Sequence, residues 1–148
     1  NAHPYVMGAM QAFLERLDSP AVRQLYDGLD ERWNARAAVL NARLEAAGLP
    51  VRLANLSTIW TVLYTQPSRY NWMLQFYLRA QGLLLSWVGS GRLIFSLNHD
   101  DAAFEAVCER FVAAAQAMQA DGWWWQAPQQ TDRSIRRSLL RELLSHRF

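Results

Sequence analysis

Three histidines, a lone cysteine, a pair of aspartates and a short Gly-Ser-Gly stretch are the residues through which this sequence could do chemistry. His3, His99 and His146 lie far apart, and none has a second ligand at metal-binding spacing, so each reads as an ordinary hydrogen-bonded or surface histidine. Cys108 is alone, which excludes an internal disulfide and a cysteine-rich metal site, and it falls on an apolar helical stripe as a small core residue. Asp100-Asp101 suits a helix start better than an acid–base pair. Gly89-Ser90-Gly91 is too short to cradle a phosphate and fits a turn. All fifteen basic residues are arginine; the chain has no lysine amine with which to form a Schiff base. Residue type and spacing therefore name no catalytic, cofactor-binding or metal residue, and they describe a soluble α+β module without a complete active site.

The elements that would position any site are organised around VRLANLSTIWTVLY, residues 51–64. From Ile59 the residues split by parity, with Ile59, Thr61 and Leu63 on one face and Trp60, Val62 and Tyr64 on the other. Both faces are apolar, which predicts protein on each side. Asn55 to Thr58 interrupt the alternation and predict a bulge or bend. GLLLSWV (82–88) and RLIFSLN (92–98) read as the arms of a hairpin about the Gly-Ser-Gly loop. In the second arm Leu93, Phe95 and Leu97 share one face, and Arg92, Ile94 and Ser96 the other.

The rest reads as helix. Pro4 opens one that carries Val6, Met10, Phe13, Leu14 and Leu17 to about Asp18. Ser19-Pro20 opens a long second one that continues through Gly28 to a cap at Gly48, followed by Pro50. A short helix spans Trp72 to Ala80, and another runs from its cap Asp100 through Phe104, Cys108, Phe111 and Met118 to Gly122. Trp123-Trp124-Trp125 and a polar linker, 126–130, precede a terminal helix from about Thr131. That helix sets Ile135, Leu139, Leu140, Leu143 and Leu144 against Arg133, Arg136, Arg137, Arg141 and Arg147.

At 148 residues the chain fits one domain, and no apolar run reaches the length that spans a bilayer. With no n-region and h-region at its start, a cytoplasmic protein without a membrane partner is expected. The first residue is Asn rather than Met, which suggests a processed chain or an excised piece of a longer one.

The order of these segments resembles a known family. LPVRLANLSTIWTVLYT, a helix, and then GLLLSWVGSGRLIFSLNHDDAAFEAVCERF resemble the C-terminal small domain of class III pyridoxal-phosphate aminotransferases, nearest to glutamate-1-semialdehyde 2,1-aminomutase. Leu56-Ser57-Thr58-Ile59-Trp60-Thr61 is similar to that family's Gly-Ser-Met-Phe-Thr-like segment. Ile94 to Asp100 is similar to its Phe-hydrophobic-Ser-x-Ala-His-Thr segment, and His3-Pro4 to the pair that opens its small domain. The match covers roughly residues 3–120, so the implied division is an aminotransferase small domain over 3–122 and a Trp-rich linker with a basic amphipathic helix over 123–148.

The resemblance implies an α+β fold, a three- or four-stranded mainly antiparallel sheet covered by helices, with an extra C-terminal helix. It implies a parent enzyme that moves amino groups with pyridoxal phosphate, whose linking lysine and pyridine-pairing aspartate lie in an upstream large domain. This fragment alone would be inactive and would hold no cofactor, its role being to close over the cofactor and shape the pocket. Where aminomutases often carry a glutamate, this chain has Gly91 or a neighbour, which leaves the amine substrate open. Ser57, Trp60, Arg92 and His3 stand at the implied substrate-pocket positions. Each has a structural alternative: a bend residue, a core residue, a solvated charge and a helix cap. The implied partners are the large domain, a second subunit and a small-molecule amine, and an excised piece would self-associate through its uncovered apolar faces. The rival from another class is a non-enzymatic module that binds a protein, nucleic acid or an anionic surface through its Trp- and Arg-rich C-terminus, with nucleic acid the less favoured.

Overall fold

Gly28 decides how the N-terminal third is laid out. Its φ of +62° ends one helix and begins another, so the expected long helix is two, with Asp27 extended between them. The guanidinium of Arg32 donates to the carbonyls of Leu25 (2.7 Å) and Asp27 (3.1 Å), satisfying acceptors that a continuous helix would have used internally. The computed structural model describes residues 3–85 and 91–145. Its helices are α1 (Pro4–Leu17), α2 (Pro20–Tyr26), α3 (Leu29–Ala46), α4 (Leu74–Ala80), α5 (Asp101–Ala120) and α6 (Asp132–Ser145), and its strands are β1 (Val51–Leu56), β2 (Ile59–Tyr64) and β3 (Arg92–Ile94).

The strands form one antiparallel sheet in the order β1-β2-β3. The interruption at Asn55 to Thr58 is a turn, not a bulge: Leu56 pairs with Ile59, and Ser57-Thr58 form a two-residue connection with Ser57 at φ +51°. The expected arm at 82–88 is not a strand where it is described. Leu83 donates its N–H to the Leu78 carbonyl (2.8 Å) and buries its side chain, so this segment closes α4 instead; residues 86–90 lie outside the described part. In β3, Leu93 faces inward while Arg92 and Ile94 face outward, as the alternation predicts.

The helices cover one face of the sheet. Trp33, Leu40 and Leu44 of α3 and Phe104, Cys108 and Phe111 of α5 meet Val51, Leu53, Trp60 and Val62 in a single core. Arg43 holds Glu105 through two hydrogen bonds (2.5 and 2.8 Å), tying α3 to α5 at the surface. The expectation of protein on both faces of β2 fails within this chain, because Ile59 on the outer face is 46% exposed. The apolar stripes of α1 and α6 bury nothing, so Val6, Met10, Phe13 and Leu14 lie in the open. Asp100 caps α5 as expected, its carboxylate accepting from the Ala103 N–H at 2.7 Å.

β1 is an edge strand, and α3 blunts that edge. The Leu53 N–H donates to Asn41 Oδ1 (2.7 Å) and its carbonyl accepts from Asn41 Nδ2 (2.9 Å), so one side-chain amide stands in for a neighbouring strand. Asn41→Ala should leave both backbone groups unpaired and cost about 2 kcal/mol, read as a lower urea midpoint at unchanged m-value.

Tyr77 gives the fold an alkaline limit. Its hydroxyl donates to Asp121 Oδ2 at 2.6 Å, and this bond, then burial, pushes its pKa from 10.0 up to about 12. The folded chain holds that proton more tightly than the unfolded chain does. The resulting stability is complete below pH 10 and is lost as pH climbs through about 12. Tyr77→Phe should therefore be less stable at neutral pH and show a shallower loss over that window in pH-dependent denaturation.

Candidate functional site

The outer face of the sheet carries two cross-strand rows set by the register. Ala54, Thr61 and Arg92 stand opposite one another in the first, and Leu56, Ile59 and Ile94 in the second. Leu56 is 78% exposed and Ile94 70% exposed, which is unusual for a row of three large apolar side chains. The rows border a shallow concavity of about 360 Å³. Arg92 is its one charge, and the guanidinium enters no ion pair among the described residues.

The other sequence-derived positions lie around this surface in different ways. Trp60 belongs to β2, yet its indole points inward, is 0% exposed, and packs edge-on against Trp33, Phe95 and Phe104 at centroid distances of 5.9, 5.1 and 5.6 Å. Its Nε1–H donates to the Ser57 carbonyl at 3.1 Å. Asn55 Nδ2 donates to the same carbonyl (3.3 Å) and to Asn34 Oδ1 (2.8 Å), so the turn is anchored to α3. The Ser57 hydroxyl is enclosed and has no hydrogen-bond partner among the described residues. His3 stands apart at the start of α1, exposed, its ring stacked on Tyr5 at 5.2 Å, and its side chain makes no capping bond. Arg92 thus reaches the concavity, Trp60 supports the sheet beneath it, Ser57 shapes the adjoining turn, and His3 lies on another element.

Thr61 is the position that sequence reasoning passed over. It is the only polar residue in IWTVLY, and that was the available signal, but its pairing with Arg92 depends on a register that sequence did not supply. Cys108 is confirmed as a core residue: fully buried, its thiol is pushed up to about 11, chiefly by burial. Among the described residues no group of His, Cys, Asp or Glu could hold a metal ion, and no helix is long and apolar enough to cross a membrane.

No family model and no curated protein matches the sequence. Solved structures do match in fold. An omega-transaminase from Sphaerobacter thermophilus superposes with a TM-score of 0.64 at 20% identity, over 80% of this chain and 29% of that one. A transaminase with PLP (pyridoxal phosphate) bound gives 0.58 at 19% identity, over 72% of this chain and 26% of that one. A β-phenylalanine aminotransferase from Variovorax paradoxus gives 0.48 at 23% identity, over 66% of this chain and 24% of that one. The chain spans less than a third of each of these proteins. Its helix-packed, three-stranded antiparallel sheet has the fold of a transaminase small domain.

The side chains in hand do not make a pyridoxal-phosphate site. The polar residues that line the concavity are Arg92, Asn55 and Thr61, beside the indole of Trp60, and no lysine exists anywhere in the chain. What can be tested here is the part Ser57 plays. Its left-handed backbone is strained for a residue with a side chain, and its hydroxyl makes no bond to the described residues that would be lost. Ser57→Gly should raise stability by about 1 kcal/mol, measured as a higher denaturation midpoint; a decrease would show that the hydroxyl is used.

Proposed function

We propose that these residues form the small domain of a pyridoxal-phosphate-dependent aminotransferase, of the branch that includes glutamate-1-semialdehyde aminomutase, and that its outer sheet face closes over a substrate held by a large domain. The observation that carries this reading is the outer face itself. Helices cover only the inner face, and Leu56, Ile59 and Ile94 are left in water beside Thr61 and Arg92. An apolar row with one cation at its margin suits a surface that excludes water and grips a carboxylate, because a guanidinium can bind a carboxylate through two parallel hydrogen bonds. The fold shared with transaminases, at identities too low to carry an activity, supports that placement.

In this reading the cofactor and its lysine belong to the large domain. Arg92 binds the substrate's carboxylate and Thr61 its neighbouring polar group. Trp60 holds β2 rigid from beneath, and Ser57 sets the turn at the pocket rim; His3, on the first turn of α1, lies away from the concavity. The exposed stripe of α1 packs on the large domain, and a second subunit completes the assembly. The aminomutase branch rests on the order of the sequence motifs, and Gly91 or a neighbour in place of a glutamate leaves room for a different amine.

Of the rival reading, an interaction module built on the tryptophan triplet and the basic tail, the triplet packs on the domain. Trp124 donates its Nε1–H to the Ala115 carbonyl at 2.9 Å and packs on Tyr64. Trp123 and Trp125 both lie against Tyr70.

Mixed with equimolar pyridoxal phosphate and borohydride, the 148-residue chain should keep no stoichiometric chromophore. The product of the complete reading frame that contains these residues should keep one that maps to a lysine. In that product Arg92→Leu should raise KM for a carboxylate substrate at least about tenfold while cofactor loading is unchanged. A full-length product that fails to bind the cofactor would sink the proposal.

A further inference from the structure

α6 is built to form locally and to hold on weakly. Thr131 and Ser134 cap it reciprocally: the Ser134 N–H donates to Thr131 Oγ1 (3.2 Å) and the Thr131 N–H to Ser134 Oγ (3.0 Å). A forked pair ties it to the body, in which the Arg69 guanidinium donates to both carboxylate oxygens of Glu142 at 3.0 and 2.8 Å. No residue of the helix is buried; Ile135 and Glu142 are the half-buried positions and mark the side turned to the domain.

The side turned away mixes two kinds of group. At 100° per residue, Leu143, Arg136, Leu140, Arg133, Leu144, Arg137 and Arg141 follow one another around half the helix. Leu140, Leu143 and Leu144 are 59, 66 and 61% exposed. Arg133, Arg136, Arg137 and Arg141 enter no ion pair among the described residues. Against these four cations the helix sets Asp132 and Glu142, and Glu142 is already held by Arg69.

We propose that this face of α6 lies on an anionic lipid bilayer. A second copy of the chain meeting it face to face would set arginine against arginine. A nucleic-acid backbone would satisfy the arginines and leave three leucines in water. A bilayer satisfies both, with leucines at the acyl boundary and arginine stems reaching back to headgroup phosphates. The helix is of low overall hydrophobicity, and its outward half carries leucine and arginine, residue types that rest together in the interface plane. Half-exposed Trp125, edge-on to the Tyr70 that follows Arg69, adds a ring of the type that settles at headgroup level. The inference is independent of the proposed transaminase role.

Sedimentation of the full chain with phosphatidylcholine vesicles, with and without phosphatidylserine, tests it. Binding is expected only with phosphatidylserine and is expected to fall as salt is raised. Arg133→Gln with Arg137→Gln should lower partitioning about thirtyfold, and the same pair changed to Lys should keep it. Leu140→Ser with Leu144→Ser should weaken binding at unchanged charge. All these side chains are exposed, so the thermal midpoint of each variant should match the parent. Equal binding without phosphatidylserine, leucine variants that bind as the parent does, or capture of a single-stranded oligonucleotide with vesicles ignored would each overturn the proposal.

Discussion

The fold depends on four aromatic rings that meet from four segments. Trp33 of α3, Trp60 of β2, Phe95 just beyond β3 and Phe104 of α5 contact one another at centroid distances from 4.9 to 6.2 Å, mostly edge to face. Such pairs add about 0.5–1.5 kcal/mol each beyond the area they bury. Arg36 closes the cluster from the solvent side, its guanidinium 4.6 Å from the Trp33 ring and 5.2 Å from Phe104. It also donates to the His99 carbonyl (3.0 Å) and to Asp101 (2.8 Å), which fixes where α5 begins. One aromatic knot therefore sets the spacing of helix to sheet and the start of the longest helix.

That knot lies wholly on the inner face, and the outer face follows from it. Once Trp60 and Val62 are committed inward, the pleat sends Ile59 and Thr61 outward. β3 is held in register by a close approach: a Cβ on Gly91 would come within 3.2 Å of the Val62 Cβ, and the Gly91 carbonyl accepts from the Val62 N–H at 2.9 Å. Glycine at φ +64° fits there without strain. This fit brings Arg92 opposite Thr61, so the one charge on the outer-face concavity is placed by a glycine.

What the sequence made legible is what local chemistry decides. Asp100 as a cap, Gly48 and Gly122 as helix ends, and the parity of 59–64 each depend on a few neighbouring residues, and each is found. Gly28 was misjudged because its helical neighbours share one apolar period, whereas the break is stabilised by Arg32 reaching back over two carbonyls. The interruption at 55–58 was legible as a bulge or bend but not as a two-residue turn, because serine is rare in left-handed backbone and the compensating bonds come from Asn55 and Trp60. Of the candidate site, Arg92 could be placed outward by alternation alone. Trp60 could not be told from a pocket residue, since both faces of its strand are apolar in sequence and only the packing of α3 and α5 separates them.

The distribution of exposed apolar groups carries the argument one step further. They are concentrated on α1, on the Leu56–Ile59–Ile94 row and on α6, while α3, α5 and the inner sheet face close around one another. α1 and α6 bury no side chain, so neither adds to the core. Fully covering a leucine or isoleucine would be worth about 1.5–3 kcal/mol, and in this chain that gain goes unclaimed at all three places. Large apolar side chains kept at positions where they do nothing for their own domain are surfaces for something else. Their separation onto three elements, one purely apolar, one apolar with a single cation and one laced with arginine, means that the three do not call for the same neighbour.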